Sequence, residues 1–459
     1  VLRGGDLAAV RDQLGREPTV AFTVAASCAA GHPLVIENAT RDADGTPFPT
    51  TYWLTCPEAV KAVSRVESVG TIGVFDEEIR GQAGFAAALE AAHAEAAALR
   101  EAKEPGAGAW GGVAGTRRGL KCLHAHYANH LAGGDDVVGR WVAELVEPIH
   151  PEVRPGDVVA AIDQGTNSTR LLVLADVGER AVELARDLRI TRLGEGVDAN
   201  GVLSGAALGR VEAVVTRYAR RARALGAGTI VTGATSAVRD AANRDEYVRL
   251  VVAATGAEPR IIDGEGEAAL SFTGATAGLA DEAVAVLDIG GGSTEWVVGD
   301  PAGGVAAAVS MQMGSVRMTE RHLRHDPPLE DELASMAAQI DEVLDASIPP
   351  PVPAGGMIGV AGTTVTVQAL ALGLERDDPD LIHGSWLPTD DAGRVLDRLA
   401  AMTVAERDAL GPMPAGRGEV IVAGAMILHR AMRFAGLEGV RVSETDILDG
   451  LAFDALGVR

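Results

Sequence analysis

Twice along the chain an apolar run ends at an aspartate and opens into a glycine-rich turn. Residues 158–162 lead into Asp163-Gln164-Gly165-Thr166-Asn167-Ser168, and residues 283–287 into Asp288-Ile289-Gly290-Gly291-Gly292-Ser293-Thr294-Glu295. A short apolar run closed by such a turn reads as a buried strand. Further apolar runs, 171–175 and 296–298, follow as return strands, so the chain is constrained to a duplicated βαβ scaffold. The turns also carry a chemistry: successive backbone N–H groups can point inward around an anion, hydroxyls add donors, and carboxylates collect a hard divalent cation. Gly165, Thr166, Asn167 and Ser168, with Gly290, Gly291, Gly292, Ser293 and Thr294, are therefore candidate phosphate-binding residues. Asp163, Asp288 and Glu295 are candidate ligands of Mg²⁺ (or Mn²⁺), which takes few carboxylates alongside water and phosphate oxygens. Aspartate and glycine also serve ordinary strand connections; the matched pair favours a polyphosphate clamp.

At 459 residues the chain exceeds one ordinary core, and two or three domains are expected. The prolines of 147–156 block both helix and sheet pairing, which separates residues 1–150 from an α/β region that starts at Asp157. Downstream, the pattern predicts a helix over 204–225, a strand at 229–232, a helix through 243–253, a strand at 260–262 and a helix from about Glu267. After a proline-rich connector at 349–353, a strand over 357–360 leads into Ala361-Gly362-Thr363-Thr364, a third turn able to face phosphate through Gly362 and Thr363. The remainder reads as largely helical. Formal net charge is −24, so nonspecific binding to nucleic acid or an anionic membrane is disfavoured, and a polyanionic substrate needs local cations. No run suits a bilayer span, Val1 to Gly15 is too charged for a secretory leader, and three cysteines form no disulfide framework, so a cytoplasmic protein is expected.

Between the two turns lies Asp263-Gly264-Glu265-Gly266-Glu267-Ala268-Ala269. Glu267 near a helix start can orient a water for in-line attack on a terminal phosphate. An acidic residue there also suits the helix dipole, and spacing does not separate the two roles. The stretch imitates a dinucleotide fingerprint, a reading that leaves both glycine-rich turns unexplained. Arg239, just after the 229–232 strand, is placed for a phosphate clamp. Arg170, Arg192, Arg317, Arg321, His322 and His325 are further basic candidates.

Taken in order, these residues resemble a known family. Asp163-x-Gly-Thr-Asn-Ser, Gly233-Ala-Thr-Ser-Ala-x-Arg239, Gly264-x-x-Glu267-Ala, Asp288-Ile-Gly-Gly-Gly-Ser-Thr-Glu295, Met313-Gly-Ser-Val-Arg317, Gly359-Val-Ala-Gly-Thr363 and Ser443-Glu-x-Asp-Ile-Leu-Asp-Gly450 are similar to motifs of the exopolyphosphatase and guanosine-pentaphosphate phosphatase family, Ppx/GppA. The resemblance implies two actin-like, ribonuclease-H-like α/β domains, 157–285 and 286–459, with an active-site cleft between them and the last helix packing back on the first. It implies Glu267 as general base, Asp163, Asp288 and Glu295 for magnesium, and Arg239 among the phosphate ligands. The implied reaction is release of terminal orthophosphate from inorganic polyphosphate, with guanosine pentaphosphate as the alternative substrate. A kinase or ATPase of the same superfamily and a non-catalytic phosphate or alarmone sensor are the readings from other classes. The motif departs from its usual paired glutamates, because Gly266 precedes Glu267 and Glu265 stands one step earlier, which makes Glu265 a substitute base. Oligomeric state stays open, a homodimer included.

Residues 1–150 resemble a separate bacterial domain of unknown function, through Gly45-Thr-Pro-Phe-Pro-Thr-Thr-Tyr-Trp-Leu-Thr-Cys56-Pro and Lys121-Cys-Leu-His-Ala-His126-Tyr. A small α+β unit is expected. Cys28, His32, Cys56, Cys122, His124 and His126 could supply zinc, but their spacing fits no standard finger and buried cysteines are the plainer expectation.

Overall fold

The first apolar run forms the strand Val158–Gln164, buried along its whole length. A strand covered on both faces needs no polar alternation, which explains its unbroken apolar sequence. The computed structural model describes residues 5–116, 118–146, 157–178, 181–414 and 416–457; the linker expected at 147–156 lies outside them. In the first of the two larger sheets the strands run in the order Ala181–Ile190, Ser168–Asp176, Val158–Gln164, Thr229–Ala234, Arg260–Ile261. In the second the order is Gly304–Met311, Thr294–Asp300, Val284–Ile289, Met357–Val360, Gly439–Val442, Trp386–Pro388. Numbered along the chain, both sheets begin third, second, first, fourth. The scaffold is thus duplicated, and each glycine-rich turn joins the first strand of its sheet to the second.

The region beyond residue 360 is not helical throughout. Trp386–Pro388 and Gly439–Val442 supply two strands at one side of the second sheet, the outer pair antiparallel. With three and four residues they are too short to show a period of two. Gly304–Met311 was equally hidden: its Gly-Val-Ala-Ala-Ala sequence has little strand propensity, and it is held by pairing antiparallel with Thr294–Asp300.

The helix expected from about Glu267 starts earlier, at Gly264, because Asp263 Oδ1 accepts the Gly266 N–H at 2.8 Å and caps it. Glu267 therefore lies at the end of the first turn. Helix Gly264–Thr276 packs closely on the final helix, Ile447–Leu456. A Cβ on Gly274 would stand 1.8 Å from the Asp446 carbonyl oxygen, and one on Gly450 2.0 Å from that of Leu270, so only glycine permits this crossing.

The described residues fall into two compact units. One comprises Val1–Ala160, Leu172–Arg186 and Thr216–Ile230, the other Ala161–Leu171, Asp187–Val215 and Val231–Arg459. The first contains an antiparallel sheet of Phe22–Ser27, Pro33–Asn38 and Tyr52–Leu54, packed with helices around Val35, Val63, Leu123, Ala128 and Val138. It also takes in the second half of helix Gly205–Ala224: Arg217 donates to Tyr52 Oη at 2.8 Å and to the Ala132 carbonyl at 2.9 Å, and Arg220 pairs with Glu95 at 2.7 Å. The second unit is built on a core that includes Leu287, Trp296, Ile340, Leu387 and Ile427. Among the described residues no helix is long and apolar enough to cross a membrane.

Candidate active site

The two turns close in the same way. Gly165 N–H donates to Ser168 O and Gly290 N–H to Ser293 O, each at 3.0 Å. The turn carbonyls are then taken up from behind: Thr191 and Arg192 N–H donate to Asn167 O, while Val316 and Arg317 N–H donate to Gly291 O. No hydrogen bond among the described residues uses the N–H groups of Thr166, Asn167, Gly291 or Gly292, which leaves a set of donors suited to an anion. The glycines serve close approach rather than unusual dihedrals, since none of Gly165, Gly290, Gly291 and Gly292 has a positive φ. A Cβ on Gly291 would lie 2.8 Å from Thr166 Cβ, and one on Gly292 2.5 Å from Ser236 Oγ. The turns face each other at contact distance, and Gly314 packs on the second from behind, 2.5 Å from Gly291 by the same measure.

Around them stand buried carboxylates. Asp288 and Glu295 are directly opposite across the antiparallel pair of strands, so both project from one face of the sheet. Ser271 Oγ donates to Asp288 Oδ2 at 2.5 Å and Ser310 Oγ to Glu295 Oε1 at 2.7 Å, while Glu295 Oε2 is buried with no hydrogen-bond partner. Glu267 reaches the same region from its helix and pairs through Oε2 with Arg239 Nη1 at 3.2 Å; the same nitrogen donates to Ile262 O at 2.9 Å. Burial, then the charges of Glu295 and Asp288, push the Glu267 carboxyl up to about 9. Burial, then Glu295, push Asp288 up to about 8, and burial raises Glu295. Carboxylates crowded out of water with one arginine among them need a further cation to ionise together. Hard oxygen donors, one of them orphaned, fit a divalent ion of the Mg²⁺ or Mn²⁺ type.

Residues 173–458 match the Ppx/GppA phosphatase family. The chain belongs to that family. The chain is 40% identical over 317 residues to Exopolyphosphatase 2 of Mycobacterium tuberculosis, spanning 65% of this chain and 98% of that protein. Among solved structures, an exopolyphosphatase-like protein shares 34% identity with a TM-score of 0.61, over 65% of this chain and 97% of that one. An exopolyphosphatase from Cytophaga hutchinsonii shares 25% with a TM-score of 0.59, over 66% and 99%. Residues 24–144 match a protein family of unknown function, DUF501. The chain is thus a Ppx/GppA phosphatase, a hydrolase of α/β fold, joined to a separate DUF501 region.

Within this Ppx/GppA site four features lie apart from the sequence expectations. Asp163 is forked by Arg170, whose Nε and Nη2 both bond Oδ2 at 2.9 and 2.7 Å, and Arg170 Nη1 bridges onward to Asp446. Burial raises the Asp163 carboxyl and Arg170 opposes the rise, so of the three expected metal carboxylates this one already has a protein cation. Gly362 does not present an open turn: Arg417 Nη1 donates to its carbonyl at 2.6 Å and would lie 2.1 Å from a Cβ there, while Thr363 packs against Gly424. His322 and His325 face Gln339, Ser335 and Glu332 instead of the turns. Arg192 pairs with Glu419, whereas Arg317 ties to Gly292 O at 2.7 Å and to Asp198 and Asp240. The sequence named Arg170 only as one of several basic candidates and gave Asp446, in the last quoted motif, no role; their pairing is what it did not reveal.

The six candidate zinc ligands of the first unit do not assemble. Cys28 and Cys56 are buried in its core and hydrogen-bonded to one another. His126 is tied to Asp136 at 2.8 Å, while Cys122 and His124 approach each other apart from the rest.

Proposed function

We propose that residues 157–459 form an exopolyphosphatase that hydrolyses the terminal phosphoanhydride of inorganic polyphosphate with Mg²⁺. What carries the reading is Glu267, held by Arg239 beside two facing turns in which, among the described residues, no hydrogen bond uses the N–H groups of Thr166, Asn167, Gly291 and Gly292. The terminal phosphoryl group would be held by the N–H groups of Thr166, Asn167, Gly291 and Gly292 and by Arg239. These donors offset charge on the equatorial oxygens while orienting the group for in-line attack. Glu267 accepts the proton of the attacking water; the new P–O bond forms as the bridging P–O bond opposite it breaks, and the electron pair leaves on the shortened chain. Asp288 and Glu295 would hold the ion, which when bound neutralises these carboxylates and shields phosphate charge. Glu265 stands two residues away on the same helix, a separation that places side chains on different faces, and it is not the base in this reading.

A second reading has one observation in its favour. A cavity of about 250 Å³ adjoins the turns, lined by Thr166, Ser236 and Gly292 together with Glu320 and with Asp198 and Asp240, which pair with Arg317 in the same wall. Carboxylate oxygens there can accept from the N–H edge of a purine, so guanosine pentaphosphate is the alternative substrate. Orthophosphate release from short polyphosphate, long polyphosphate, guanosine pentaphosphate and ATP, each with Mg²⁺, tests both. Release from polyphosphate alone supports the first, and preference for the nucleotide supports the second. Phosphate transfer only from ATP to an acceptor, or binding without turnover, sinks both.

A further inference from the structure

We propose that the DUF501 region binds one zinc ion through Cys122, His124 and Glu67. Glu67 lies in the last turn of helix Pro57–Ser68, and Cys122 is the residue that caps helix Leu123–Leu131, with His124 in its first turn. Among the described residues these three form the one group of His, Cys, Asp or Glu in which a ligand atom from each lies within 4.8 Å of the others. His124 Nδ1 stands 3.9 Å from Cys122 Sγ and 3.4 Å from Glu67 Oε1. A tetrahedral ion with bonds of about 2.0–2.3 Å spaces its ligand atoms roughly 3.3–3.8 Å apart, so small side-chain shifts close the shell.

The second ring nitrogen supplies an independent indication. His124 Nε2 lies 3.1 Å from the Val60 carbonyl oxygen, which can only accept, and 3.1 Å from Ser64 Oγ. Nε2 therefore carries the proton, and in the neutral ring Nδ1 presents its lone pair to a thiol and a carboxylate. Backbone anchoring of the far nitrogen is how metal-bound histidines are held. Glu67 is fixed too, because its Oε1 accepts the Leu123 N–H at 2.7 Å. One sulfur, one imidazole nitrogen and one carboxylate oxygen suit Zn²⁺ over Mg²⁺ or Ca²⁺, and three protein ligands leave the fourth position for water. The three side chains are half-buried, so solvent has a route to that position.

The test uses the full chain, freed of metal by chelation and then kept in excess Mg²⁺ so that the carboxylates near the glycine turns do not compete. Co²⁺ is the probe, because a thiolate ligand gives a near-ultraviolet charge-transfer band that oxygen ligands do not. One equivalent per chain is expected to develop the band, and Zn²⁺ to abolish it. The band should be lost in Cys122→Ser and His124→Ala and kept in Cys28→Ser. No band in the native chain, or a band that survives Cys122→Ser, overturns the proposal. Should those variants misfold by circular dichroism, Glu67→Gln decides: its amide oxygen still accepts from Leu123, and Co²⁺ affinity should fall about tenfold or more. Unchanged affinity in that variant overturns the site.

Discussion

The two glycine-rich turns share one backbone and differ in charge. Each opens at a strand-end aspartate and closes with the same 3.0 Å bond, Gly165 to Ser168 and Gly290 to Ser293. In the first, Asp163 meets Arg170, which also reaches Asp446. In the second, Asp288 faces Glu295 across the strand pair and meets only hydroxyls. Duplication of a scaffold has left one turn with its own cation and the other short of one, and in the proposed reaction the second is where an ion and a reacting water would sit. Removing the group that reads this difference should have the largest effect. Glu267→Gln keeps the size and a hydrogen bond to Arg239 but cannot accept the water's proton, so kcat should fall about 10²–10⁴-fold. Glu265→Ala should leave turnover near the native value. Equal losses in both would erase the distinction between a base and an ordinary first-turn glutamate.

Taking the cation away from the first turn is the next largest change. In Arg170→Met two buried carboxylates, Asp163 and Asp446, lose their shared partner. Breaking a buried pair from one side costs about 3–5 kcal/mol, which urea unfolding should read as a lower midpoint. A midpoint within error of native would mean that the first turn, like the second, tolerates uncompensated charge.

What was legible in the sequence follows the same division between local and distant determinants. Buried central strands gave unbroken apolar runs at 158–162 and 283–287, and the residues that close each turn are three apart, so both turns could be read locally. Glu267 lies near a helix end that its own capping residue, Asp263, sets. Arg170 and Asp446 are 276 residues apart, and no local pattern connects them. The turn at Gly362 looked open for the same reason, since the guanidinium that fills it comes from Arg417, 55 positions away. In the DUF501 region, Glu67 joins Cys122 and His124 from another helix, so no spacing within one segment points to it, whereas Cys28 and Cys56 lie in the core, the plainer of the two expectations for them.

The smallest expected effect has the opposite sign from the loss of Arg170, and that makes the comparison sharpest. Asp288 is raised from 3.8 to about 8, first by burial and then by Glu295. Between those values the folded chain holds a proton that the unfolded chain has released. Stability is therefore least penalised below about pH 4, declines as pH rises, and levels off once the folded carboxyl has ionised above about pH 8. Asp288→Asn keeps an acceptor for Ser271 Oγ and removes the charge. It should raise Tm at pH 8 and leave it near the native value at pH 4. Chelating divalent ions should lower the native Tm at pH 8 more than at pH 5, and that difference should shrink in the variant, because the ion offsets the same repulsion. Scanning calorimetry across pH, with and without chelator, reads both effects. A variant less stable than native at pH 8 would show that the second turn is compensated from within the protein after all, as the first is by Arg170.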